Sequence, residues 1–131
     1  MYKGRILNTA VTANTNIPFN IAMQSNSKAI WNSNDNTVEL RQAGYYEIDA
    51  QIVTTGVAVG NVTASLLANG TALTEAQAIE TVGATTDSQT LTIHDVVKIE
   101  PQNTNSYAKL ALQLSVAGTI TSGLITVKAV R

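Results

Sequence analysis

The chain has 131 residues, 44% hydrophobic and 13% charged, with a net charge of −1 and no cysteine. That length fits one domain around one core, while the near-neutral charge and lack of any Lys/Arg cluster exclude the electrostatic footprint of a nucleic-acid or anionic-membrane binder. No apolar run approaches the ~20 residues of a membrane span, and without cysteine there is neither a disulfide nor a thiolate metal site.

Polarity comes from Thr, Asn, Ser and Gln rather than from charge, which is about half the usual share. β-Branched Thr suits exposed strand surface and Asn suits turns. Turn signals recur through the chain with short alternating runs between them, the pattern of an all-β domain spanning residues 1–131. Residues 1–8 are expected to form an extended N-terminal attachment segment through Tyr2, Lys3 and Arg5, because termini order readily on docking.

A first strand is predicted over residues 9–13, ending at Asn14-Thr15-Asn16. A second at residues 17–21 puts Ile17, Phe19 and Ile21 on one face, and Pro18 confines it to an edge or a strand start. Residues 25–36 read as a long loop or broken strand carrying Trp31. Residues 37–41 place Val38 and Leu40 together. After Gln42-Ala43-Gly44 comes the clearest strand, residues 45–54, where Tyr46, Ile48, Ala50 and Ile52 alternate with Tyr45, Glu47, Asp49 and Gln51.

Residues 61–67 alternate again and lead to Asn69-Gly70, a two-residue hairpin turn of the type that needs positive φ at both positions. Residues 74–79 are too short for a free-standing helix and read as strand or loop. Residues 83–88 are a loop. Strands at 90–93 and 96–99 are joined by a turn at His94-Asp95, and 101–106 form another loop. Residues 109–117 align Leu110, Leu112, Leu114 and Val116; residues 118–123 then connect to a closing strand at 124–130. About ten strands with no long helix call for a jelly-roll sandwich of two antiparallel sheets.

In their order, Gly44-Tyr45-Tyr46, Leu66-Leu67-Ala68-Asn69-Gly70, Leu91-Thr92-Ile93-His94-Asp95-Val96-Val97 and the apolar closing strand resemble the C1q/TNF-like jelly-roll superfamily. The similarity is to its short trimeric branch in phages and on bacterial spore surfaces, and the opening residues 7–15 also look phage-like. Two departures matter. His94 stands where the family has Gly, and aromatics are only 5%, so the cytokine and complement branches guide the ligand poorly.

The resemblance implies a homotrimer with Tyr45, Glu47, Asp49 and Gln51 facing the three-fold axis; a solvated sheet face is the alternative. Three copies of Glu47 and Asp49 would bring like charges together. Pairing with Arg41 or Lys128, protonation, or an axial Ca2+ would relieve them. No other cofactor or metal is expected. Trp31 and Tyr107 are amphipathic candidates for ligand or partner contact.

An enzyme is not expected. The chain has one His, no phosphate loop and no Gly-x-Ser-x-Gly elbow. His94 and Asp95, as sequence neighbours, point apart, and Glu39 with Glu47 could serve a glycosidase only across a cleft that so small a domain hardly offers.

The resemblance implies a virion structural protein, made in the host cytoplasm and placed on the virion surface as a capsid decoration or head-fibre module. The sequence has no collagen-like stalk or coiled coil, which favours seating directly on a lattice, with capsid or other virion proteins as partners. The alternative is a receptor- or host-glycan-binding knob of a phage tail fibre, or of a bacterial cell- or spore-surface protein.

Overall fold

Each alternating run has one apolar parity, and a strand of that kind is stable only when that parity is covered by another sheet. The computed structural model, which describes residues 1–25, 28–100 and 108–130, meets this need with ten strands and no helix among those residues. The strands are β1 (Tyr2–Val11), β2 (Asn20–Gln24), β3 (Ala29–Asn32), β4 (Thr37–Leu40), β5 (Gly44–Thr55), β6 (Gly60–Ala68), β7 (Thr71–Val82), β8 (Gln89–Ile99), β9 (Ala108–Leu114) and β10 (Gly118–Val130). They form two five-stranded antiparallel sheets, β2-β1-β10-β5-β8 and β3-β4-β9-β6-β7. This is the jelly-roll sandwich that the sequence predicts.

The core lies between the sheets. Tyr46, Ile48, Ala50 and Ile52 of β5 are buried with Ile6 of β1, Leu91 and Ile93 of β8, and Ile125 and Val127 of β10. Val62, Ala64 and Leu66 of β6 and Leu110, Leu112 and Leu114 of β9 are buried from the opposing sheet. Each fully buried aliphatic side chain contributes roughly 1.5–3 kcal/mol relative to exposure. Asn69 and Gly70 have φ of 52° and 81°, the left-handed pair that the β6–β7 hairpin requires. Residues 74–79 lie within β7, settling strand over loop.

Three local expectations are corrected, at residues 118–123, at His94-Asp95 and at Ile21. Residues 2–8, expected as an extended segment, are strand: β1 begins at Tyr2 and pairs with β10 on one side and β2 on the other. Residues 118–123 are likewise strand, part of the 13-residue β10. In both cases an irregularity hides the period. Asn8 (φ 45°) drops out of the β1–β10 pairing opposite Thr121, and a bulge flips the side-chain parity on each side of it.

His94-Asp95 is not a turn but the middle of β8, paired in register with Asp49 and Ile48. Ladder bonds along all of β5 override the weak strand propensity of His and Asp. Residues 25–36 contain β3, so Trp31 stands on a strand. Pro18 falls just before β2, an edge strand, as its missing donor demands. Ile17 and Phe19 are buried but Ile21 is 52% exposed, because the strand begins only at Asn20. The 101–106 loop lies outside the described residues.

Candidate functional site

The candidate surface is the outer face of the β2-β1-β10-β5-β8 sheet, which carries the interface residues expected on β5. Directly opposed residues of antiparallel strands share a face, so register assembles it row by row. One row runs Met23, Lys3, Thr126, Asp49, His94, and the next runs Arg5, Leu124, Gln51, Thr92. Lys128, Glu47 and Val96 form a third row, and Val130, Tyr45 and Lys98 a fourth. Leu7, Ser122, Val53 and Thr90 extend it at the other end. Tyr45, Glu47, Asp49 and Gln51 therefore share the outer face of β5, as the alternation predicts.

This face is more apolar than one that merely meets water. Among the described residues nine large hydrophobic side chains are exposed, and six of them (Leu7, Met23, Tyr45, Val96, Leu124 and Val130) lie here. Leu124 stands between two open hollows. One of about 200 Å³ is lined by Asp49, Gln51, Thr92 and Thr126, and one of about 300 Å³ by Arg5, Leu7, Val53 and Ser122. They are small beside drug-sized ligand pockets.

At the centre of the face the carboxylates find partners within the chain. His94 Nδ1 meets Asp49 Oδ1 across the β5–β8 ladder. The hydrogen bond that His94 donates to Asp49, then the charge of Asp49 and those of Glu47 and Asp95, raise the His94 pKa above its ordinary 6.5. Lys128 Nζ lies 3.9 Å from Glu47 Oε1. Arg41, the other partner expected from sequence, pairs instead with Glu39 at 2.9 Å on the opposite sheet. Glu47, Asp49 and His94 bring ligand-type atoms within 4.8 Å of one another, and His94 and Lys128 are the basic side chains that the chain itself sets beside these carboxylates. His94 is the residue that sequence reasoning missed. Its signal was the shared parity of His94 with Asp49, visible only once β8 is continuous.

The other candidates scatter. Tyr2 is fully buried and stacks on Trp31, with ring centroids 5.4 Å apart and planes at 5°. It is core, and its attachment role is withdrawn. Lys3 and Arg5 belong to the outer face of β1. Trp31, half-buried, also meets Phe19 edge-on at 6.4 Å and lines an open groove of about 430 Å³ with Pro18, Asn20, Ser33 and Asn36. Tyr107 lies outside the described residues. Glu39 and Glu47 stand on different sheets, and Glu39 is held by Arg41 and by Asn32 Nδ2 at 3.0 Å. They cannot converge on one glycosidic bond.

No family model and no curated protein matches this sequence. Solved structures do match its shape. Eiger TNF from S. frugiperda aligns with 99% of this chain and 93% of its own, at a TM-score of 0.75 and 9% identity. Murine APRIL at pH 8.5 aligns with 97% of this chain and 98% of its own, at a TM-score of 0.67 and 10% identity. The class is thereby defined: the chain has the C1q/TNF-like jelly-roll fold. Identity this low carries the fold and not the ligand.

Proposed function

We propose that the chain is a non-enzymatic structural module of a virion surface, a capsid decoration or head-fibre protein, which assembles as a homotrimer through the outer face of the β2-β1-β10-β5-β8 sheet. The observation that carries the assembly is the concentration of exposed hydrophobic side chains on that face, six of nine among the described residues. Single exposed apolar residues are ordinary, but six gathered on one face of one sheet point to an interaction surface. The virion assignment rests on the resemblance of Gly44-Tyr45-Tyr46, Asn69-Gly70 and the residue 7–15 run to short phage modules.

Native mass spectrometry at micromolar concentration is expected to give a trimer. A monomer persisting at tens of micromolar would end the assembly reading. Electron microscopy of the virion whose genome encodes the chain should then place three-lobed density on the capsid lattice. Absence of the chain from the particle would end the virion reading.

A receptor- or glycan-binding knob is the second reading, favoured by one observation. Trp31 sits in its groove with the neutral polar side chains of Asn20, Ser33 and Asn36, a lining suited to a sugar ring and its hydroxyls. Ser33→Arg would block the groove without disturbing the Tyr2–Trp31 stack. Unchanged binding to host cells or glycans would remove this support, and loss of binding would favour it over the lattice role.

A further inference from the structure

Asn69-Gly70 is the only Asn-Gly step in the sequence, and these two residues make up the whole turn between Ala68 and Thr71, the last pair of the β6–β7 ladder. Both are exposed to water. The Gly70 amide nitrogen is sterically open, because nothing lies within 4 Å of where a Cβ at residue 70 would stand. An unhindered main-chain nitrogen beside a side-chain carboxamide is the arrangement from which asparagine loses ammonia. In that reaction the Gly70 nitrogen attacks Asn69 Cγ and gives up its proton, the Cγ–Nδ2 bond breaks, and ammonia leaves. One water then opens the cyclic imide to aspartate or isoaspartate, so water is the sole co-reactant.

What sets Asn69 apart is that the fold uses its side chain. Strands β6 and β9 pair as far as Ala68 and Leu110. Beyond that rung the Asn69 N–H donates to the Lys109 carbonyl at 2.8 Å, and the Lys109 N–H donates to Asn69 Oδ1 at 2.9 Å. The carboxamide thus stands in for a main-chain carbonyl and adds one more rung to the ladder. Closing the imide ring demands that both the main chain and the side chain of Asn69 rotate. The turn fixes the main chain, with φ of 52° at Asn69 and 81° at Gly70. The Lys109 rung fixes the side chain.

We infer that Asn69 is a site of spontaneous deamidation gated by the β6–β7 hairpin, protected while Lys109 holds its carboxamide and reactive when the turn opens. The two products behave differently. Aspartate keeps an acceptor oxygen for the Lys109 N–H and recloses the turn. Isoaspartate carries the main chain through the former side-chain carbon, which lengthens the turn by one backbone atom and consumes the group that made the rung. That product records an opening irreversibly and leaves this end of the β6–β9 ladder unlatched.

The test follows every asparagine of the full chain by peptide mass spectrometry during incubation at pH 8, in buffer and in unfolding concentrations of urea. In urea Asn69 should convert before any other asparagine. In buffer its conversion should be slower by about tenfold or more, since reaction then waits on local opening. Hydrogen exchange of the Lys109 amide reads that opening directly. The amide should be protected in the native chain and in the Asn69→Asp variant, and should exchange freely in the purified isoaspartate product. Equal conversion rates in buffer and urea, or a Lys109 amide that exchanges freely in the native chain, would overturn the gate. Another asparagine converting first in urea would overturn the choice of site.

Discussion

His94 and Asp49 face each other in register across β5 and β8, and their side chains pair on the open face of the sheet, 59% and 55% exposed. The pair favours the imidazolium, so the folded-state pKa of His94 lies above its unfolded value near 6.5. A raised pKa means that the pair's stabilisation is fully present below about 6.5 and is lost as pH rises through the folded value. Asp49→Asn should bring the His94 titration, followed by NMR, back towards 6.5. His94→Gln should narrow its melting-temperature gap to the wild type as pH goes from 5.5 to 9. An identical His94 titration in wild type and Asp49→Asn would show that the pair does not form in solution.

Tyr2 folds its ring over Gly4, two residues on along the same buried face of β1. A Cβ at residue 4 would overlap the Tyr2 hydroxyl and sit 3.0 Å from Phe19 Cβ. The ring cannot swing aside, because Trp31 stacks on it. Gly4→Ala should therefore destabilise by about 1–3 kcal/mol in chemical denaturation, the usual cost of overpacking. The Tyr2 hydroxyl is buried without a hydrogen-bond partner, and burial pushes its pKa well up. Removing an orphaned donor is neutral or favourable, so Tyr2→Phe should melt no lower than wild type. A clear drop would reveal a partner, such as a buried water, for that hydroxyl.

How much of this was legible in the sequence depended on whether the alternation was unbroken. β5 runs twelve residues without interruption, and both its faces, Tyr46-Ile48-Ala50-Ile52 inward and Tyr45-Glu47-Asp49-Gln51 outward, follow from period two alone. The Asn69-Gly70 hairpin was equally plain, since few other residues accept its φ values. β1 and β10 were legible only in part, at residues 9–13 and 124–130, because the irregularity at Asn8 and Thr121 shifts the parity partway along each strand. His94-Asp95 read as a turn because the signal there is local, while the cause of its strand geometry is the whole length of β5 beside it. The apolar character of the outer face escaped for a related reason. Leu7, Met23, Leu124, Val96 and Val130 come from four different strands, and only register brings them together.

Asp35 and Lys109 join the turn before β4 to β9, with Lys109 Nζ 2.7 Å from Asp35 Oδ2 and Thr37 Oγ1 donating to Oδ1 at 2.7 Å. The Lys109 hydrogen bond, then that of Thr37, holds the Asp35 pKa below its ordinary 3.8. A depressed pKa places the stabilisation above about 3.8, and it is lost as pH falls through the folded value. Both side chains are more than a third exposed, so solvent screening keeps the pair's contribution small. Asp35→Asn should lower the urea midpoint slightly at pH 7 and leave it unchanged at pH 2. A cost that persists at pH 2 would assign it to the turn geometry instead of the charge.

Leu124 and Ile79 separate the proposed interface from the rest of the surface. Both are exposed, at 40% and 60%, so a Glu at either should move monomer stability by only about 0.5 kcal/mol. Leu124 stands between the two hollows of the open face, whereas Ile79 lies on β7, at the edge of the other sheet. A charge at Leu124 would be desolvated on assembly without a partner, and one at Ile79 would remain in water. Leu124→Glu should therefore give a monomer in sedimentation at concentrations where the wild type and Ile79→Glu are trimers, with melting temperatures of the two variants alike once dissociated. Dissociation by Ile79→Glu with Leu124→Glu intact would move the interface to the opposite sheet, and dissociation by neither would leave the apolar face without a partner of its own kind.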